Sequence, residues 1–139
     1  MKSRWILSLV LALVLMPVLA SAGDPFLIAV ASDNQEATSL VGTFAARSRY
    51  YLLFSQTLEL VQVVQNPFLS EGEGAAPLVV DYLAQKGVGV IVAGRFGPPM
   101  IQAMNRKDMR YIQYSGVARE AVQRVINFLR PPEEKRGGQ

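Results

Sequence analysis

VGVIVAGRFGPPMIQAM, residues 88–104, joins an apolar run to a helix-like run through a turn of glycine, arginine and proline. Val88 to Ala93 is short, rich in valine and free of polar alternation. That is the pattern of a strand covered on both faces. Gly94-Arg95-Phe96-Gly97 ends the run, and Pro98 fits a first helical turn, where no backbone donor is required. Met100, Ile101 and Met104 fall on one side of a short helix over Pro98–Asn105. A buried strand that leads straight into a helix is part of a βα crossover. The stretch therefore points to a sheet with parallel neighbours and helices packed on its faces.

Elements on either side extend this pattern. Upstream, Ala75 to Lys86 reads as a helix with Pro77 in its first turn and Leu78, Val79, Tyr82 and Leu83 as an apolar stripe. Gly87 fits the position just past its end. Downstream, Arg110 to Tyr114 reads as a strand. Val117, Ala118, Ala121, Val122, Val125, Ile126 and Leu129 then recur at helical spacing, and Pro131-Pro132 stops the helix. In the first half, Leu27 to Ala31 is another apolar run, ended by Ser32-Asp33-Asn34. Gln35 to Ser48 has no period and reads as a loop. Tyr50 to Phe54 is an aromatic strand, and valine-rich Leu58 to Gln65 returns as its antiparallel partner, stopped by Asn66-Pro67. The order is strand, strand, strand, helix, strand, helix, strand, helix. It predicts an α/β domain over residues 23–130, with a mixed five-stranded sheet, an antiparallel hairpin and helices on both faces.

The two ends read differently. Residues 1–22, MKSRWILSLVLALVLMPVLASA, have the pattern of a secretory signal peptide: Lys2 and Arg4, an apolar stretch from Ile6 to Leu15, and the small-residue site Ala20-Ser21-Ala22. The apolar stretch is shorter than the roughly 20 residues that span a bilayer. Cleavage would leave no stable membrane anchor and a periplasmic or secreted protein. Residues 131–139 are charged and glycine-rich, the composition of a disordered tail. The formal net charge of +3 includes Lys2 and Arg4, so the remaining chain is close to neutral and predicts no nucleic-acid partner.

The 139-residue chain has no cysteine and no histidine. Zinc, copper and iron–sulfur sites draw mainly on those two residues. Glu71 and Glu73 offer oxygen ligands on a glycine-rich loop, and Met100, Met104 and Met109 offer thioethers, but neither set has a metal-site spacing. No metal ligands are assigned. No nucleophile–base pair is recognisable either, so a binding protein is expected rather than an enzyme.

Ligands of open α/β sheets bind beyond the carboxyl ends of the strands. If the strands at Leu27 and Val88 are parallel neighbours, the turns Ser32-Asp33 and Gly94-Arg95-Phe96-Gly97 lie side by side. Arg95 and the helix start after Gly97 would then favour an anionic group. The competing reading makes the second turn a tight connection only, with Arg95 a solvated charge and Phe96 a core residue.

The chain resembles the dinitrogenase iron–molybdenum cofactor biosynthesis family. The likeness lies in LIAVASD at 27–33, TFAARSRYYLLF at 43–54, QNPF at 65–68, KGVGVIVAGRFGPPMIQAM at 86–104 and SGVAREAVQRVINF at 115–128. The resemblance implies a ribonuclease H-like three-layer fold and a non-enzymatic accessory role, carrying nitrogenase cofactor or its precursors. It implies an iron–sulfur or iron–molybdenum type cluster as ligand. The chain departs from the family where a His-Phe-Gly-Arg-Ala block is usual: here Thr43-Phe44-Ala45-Ala46-Arg47 stands, with Thr43 at the histidine position. The export signal is a second departure, since nitrogenase cofactor is assembled in the cytoplasm. Two alternatives stand beside the carrier role. One is a binding module for a small anionic ligand at the Gly94–Pro98 turn. The other is a structural subunit of an exported complex that offers the hairpin edge at Leu58 to Val64 to a protein partner.

Overall fold

The computed structural model describes residues 25–130. The signal peptide read over residues 1–22 and the tail over 131–139 lie outside the described residues. Among the described residues, five strands run as β1 (Leu27–Ser32), β2 (Tyr50–Phe54), β3 (Leu60–Gln65), β4 (Val88–Ala93) and β5 (Arg110–Gln113). Three helices, α1 (Ala75–Gln85), α2 (Pro98–Arg106) and α3 (Ala118–Leu129), follow β3, β4 and β5. The sheet order is β3-β2-β1-β4-β5. β2 is antiparallel to β1 and β3, whereas β4 is parallel to β1 and β5. The mixed sheet predicted from the element order is the one observed.

Alternation along the central strands divides the core into two layers. Ala29, Ala31, Tyr51, Leu53, Ile91 and Ala93 face α1 and α2. Ile28, Val30, Leu52, Phe54, Val90 and Val92 face α3. All of these are buried, which explains why β1 and β4 read as continuous apolar runs rather than alternating ones. Burying one large side chain such as Leu83 contributes about 1.5–3 kcal/mol.

Three local expectations are corrected. The buried stripe of α1 is Ala75, Ala76, Val79, Val80 and Leu83, and Leu78 faces outward. One residue of helix rotates a side chain by roughly 100°, so Leu78 and Val80 lie on opposite sides of Val79. The partner strand of β2 begins at Leu60 rather than Leu58. Leu58 has a φ of 67° and belongs to the turn, where the Ser55 hydroxyl accepts from the Thr57 and Glu59 amides. The connection at Glu71–Gly74 is part of a 3-10 segment, Leu69–Gly74, kinked at Gly72. Gly87 does end α1, with a φ of 86° that a residue bearing Cβ adopts only under strain. Among the described residues, no helix is long and apolar enough to cross a membrane.

Candidate functional site

β1 and β4 are parallel neighbours, so their carboxyl ends do open on the same edge of the sheet. The loop from Gly42 to Ala45 occupies the space between them. The Gly42 amide donates to the Ala31 carbonyl at 2.7 Å, and the Gly42 carbonyl accepts from the Gly94 amide at 2.9 Å. The Ala45 amide then donates to the Arg95 carbonyl at 3.0 Å. Glycine suits both sides of this contact. A Cβ on Gly94 would lie 3.0 Å from the Thr43 carbonyl oxygen, and one on Gly42 would collide with the Ser48 hydroxyl.

This inserted loop separates the residues that sequence spacing had grouped. Ser32 is fully buried, its hydroxyl donating to the Leu40 carbonyl at 2.9 Å and accepting from the Asn34 amide. Asp33 is exposed and accepts a long bond from the Arg49 amide, 3.4 Å. Neither lines the cleft described next. Gly94 packs on Thr43, and Phe96 is buried with its ring 5.2 Å from that of Tyr111. Of the six residues, Arg95 and Gly97 reach the cleft.

The cleft has a volume of about 510 Å³, within the range of small-molecule sites. Its walls are the Phe44–Arg47 loop, the residues around Glu73 that lead into α1, the Arg95–Gly97 turn and the start of α2. Ala45, Ala76 and Met100 supply an apolar floor, and half-exposed Phe44 adds an aromatic edge. Arg47 and Arg95 supply two positive charges and Glu73 one negative charge. Among the described residues the single ion pair is Lys107–Asp81 at 3.4 Å, so neither cleft arginine is neutralised there by a carboxylate.

The start of α2 offers fewer donors than a helix terminus usually does. Pro98 and Pro99 have no N–H, and the Ile101 amide already donates to the Gly97 carbonyl at 3.1 Å. Met100 is the one residue of the first three in α2 that carries an amide proton. Positive charge in this cleft therefore comes mainly from guanidinium groups, and only in small part from the helix end.

A buried polar network holds the wall that carries Arg47. The Tyr51 hydroxyl donates to the Ala45 carbonyl at 2.6 Å. The Asn66 side-chain amide donates to the carbonyls of Ala46 and Ser48, at 3.1 and 3.0 Å, and its oxygen accepts from the Phe68 amide at 2.9 Å. Burial raises the Tyr51 pKa well above the ordinary value, so the phenol remains a neutral donor. Among the described residues, no buried side-chain polar atom lacks a partner.

Arg47, Phe44, Glu73 and Met100 were not singled out from sequence as cleft residues. Strand-end spacing cannot locate a loop that enters from elsewhere in the chain. The available signal was the block at Thr43–Arg47, where the family resemblance places a distinctive motif. Among the described residues, no three Asp or Glu side chains gather as a metal site. Met100, Met104 and Met109 are all buried in the core layer beneath α1 and α2.

An open mixed sheet with a positively charged, apolar-floored cleft at its carboxyl edge defines a small α/β binding domain. The chain belongs to the dinitrogenase iron–molybdenum cofactor family, whose sequence profile matches residues 26–127. It is similar to the apo form of the orange protein from Desulfovibrio gigas, with 26% identity, a TM-score of 0.71, and coverage of 79% of this chain and 94% of that one. A putative NifB protein from Thermotoga shares the fold at 23% identity and a TM-score of 0.64, over 73% of this chain and 88% of that one. No curated protein matches the chain significantly.

Proposed function

We propose that this protein is an exported, non-enzymatic accessory protein that carries an anionic metal cofactor, or a precursor of one, in the Arg47–Arg95 cleft. Family membership supports the cofactor class. The carrying observation is the pairing of two exposed guanidinium groups with an apolar floor in one cleft of about 510 Å³. A chain without cysteine or histidine does not fit direct ligation of iron through thiolate or imidazole. It does fit retention of a whole cluster as an anion, by charge-assisted hydrogen bonds from Arg47 and Arg95. Phe44, Ala45 and Met100 would shield such a cargo from water on its other side. The signal-like residues 1–22 support action outside the cytoplasm.

The test is anaerobic incubation of the purified protein with a synthetic iron–sulfur cluster of net negative charge, followed by metal analysis and a visible spectrum. One cluster bound per chain, lost in the Arg47→Ala, Arg95→Ala double variant, is the expected result. Unchanged uptake by that variant would sink the cleft assignment. The lack of Cys and His also favours a second reading, a small anionic metabolite at the same cleft. In that case the protein stays colourless and gains thermal stability with the metabolite by mass action.

A further inference from the structure

The opposite flank of the sheet carries a different surface. One helix, α3, covers the face that α1 and α2 leave open, and its core contacts fall on β1, β2 and β4. Edge strand β5 is left partly bare beside it. Among the described residues β5 pairs only with β4, so its outer backbone groups have no strand partner. Between β5 and α3 run two adjoining grooves of about 320 and 360 Å³, divided by Phe128. Phe128 is 77% exposed, the highest value among the large hydrophobic residues described. Each groove is lined by a single charged residue, and both are arginines: Arg110 at the start of β5, and Arg124 at its end, where the guanidinium lies 5.3 Å from the Tyr114 ring centre.

We infer that the free edge of β5 is a docking site for an extended, acidic segment of a partner protein, which adds a strand to the sheet and lays an apolar side chain against Phe128. Strand addition supplies backbone hydrogen bonds, and alternate side chains supply specificity. Charge decides the occupant. A second copy pairing antiparallel about a two-fold axis at Ile112 would set Arg110 of each copy opposite Tyr114 of the other, over whose ring Arg124 lies. Like charges at that distance repel, so self-pairing is disfavoured. An acidic strand reverses the sign of both contacts. Arg110, Ile112 and Tyr114 alternate toward α3, so they span five residues, four steps and about 13 Å of extended chain. The matching segment carries acidic residues at positions i and i+4 and an apolar residue at i+2. This surface is separate from the Arg47–Arg95 cleft and does not depend on what the cleft binds.

The test uses the peptide Thr-Glu-Thr-Phe-Thr-Glu-Thr, titrated into the purified, isotope-labelled protein and followed by amide NMR shifts. Saturable shifts confined to Arg110–Tyr114 and the end of α3 are expected. Affinity should fall at least tenfold when both peptide glutamates are replaced by lysine, and by a similar factor in Arg110→Glu, Arg124→Glu and Phe128→Ser. All three variant positions are exposed, and thermal unfolding at the wild-type temperature verifies that each variant is folded. No shift at millimolar peptide overturns the proposal. So does equal binding of the lysine peptide. Binding to phosphatidylglycerol vesicles without binding to the peptide would overturn it too, by assigning the arginines and Phe128 to a lipid surface.

Discussion

The hydroxyl of Tyr51, on a central strand, donates to the backbone carbonyl of Ala45 at 2.6 Å and thereby fixes the loop that forms one wall of the cleft. Replacing Tyr51 by Phe keeps the ring in the core and removes that donor. A loss of about 1–3 kcal/mol is expected in urea denaturation. The pH dependence follows from the raised pKa. The unfolded chain releases the phenol proton near the ordinary value of about 10, before the folded protein does. Stability is therefore fully present below pH 10 and falls as pH rises beyond it. Tyr51→Phe should lack this share of the alkaline decline, measured as urea midpoints between pH 8 and 11. An unchanged alkaline profile in the variant would count against the buried neutral phenol.

Gly94 meets the Thr43 backbone, not a flexible side chain. The neighbour therefore has to move if Gly94 becomes Ala. The expected cost is about 1–3 kcal/mol. Because the same contact seats the Gly42–Ala45 loop, cluster or anion binding should weaken in parallel. Chemical denaturation and a binding titration on one sample check both effects.

Glu73 is the acidic residue among two arginines in the cleft lining. For an anionic cargo it is a repulsive neighbour, so Glu73→Gln should tighten binding by about fivefold or less, the scale of one close charge in water. The preference for anions should fade as ionic strength rises, since these groups are exposed. Titrations at 20 mM and 500 mM salt, for wild type and Glu73→Gln, read both trends. A variant that binds more weakly would reassign Glu73 as a direct contact of the ligand.

Met104 and Met100 sit one helical turn apart on α2, but only Met100 lines the cleft. Met104 is fully buried. Met104→Ala should cost about 2–5 kcal/mol through the cavity it leaves, with little change in anion affinity at a temperature where the variant is folded. Met100→Ala should show both losses. Calorimetry paired with a titration separates the two positions.

Local pattern by itself determined the elements and their order. Apolar runs without alternation marked β1 and β4 as central strands, the α3 stripe recurred at helical spacing, and Gly87 marked the end of α1. These signals are local because strand and helix periods are set by backbone geometry within a few residues. The parallel placement of β1 and β4 entered that reading as a condition, and the tertiary structure meets it. Membership of the cleft was decided only by tertiary structure. Gly42 joins Ala31 and Gly94 through backbone hydrogen bonds, which name no partner in the sequence because every residue but proline can make them. That insertion keeps Ser32 and Asp33 out of the cleft lining and brings Arg47 into one cleft with Arg95. Phe128 shows the same limit from the other side. Its neighbours in α3 carry the helical stripe, but its exposure depends on how much of β5 one helix can cover.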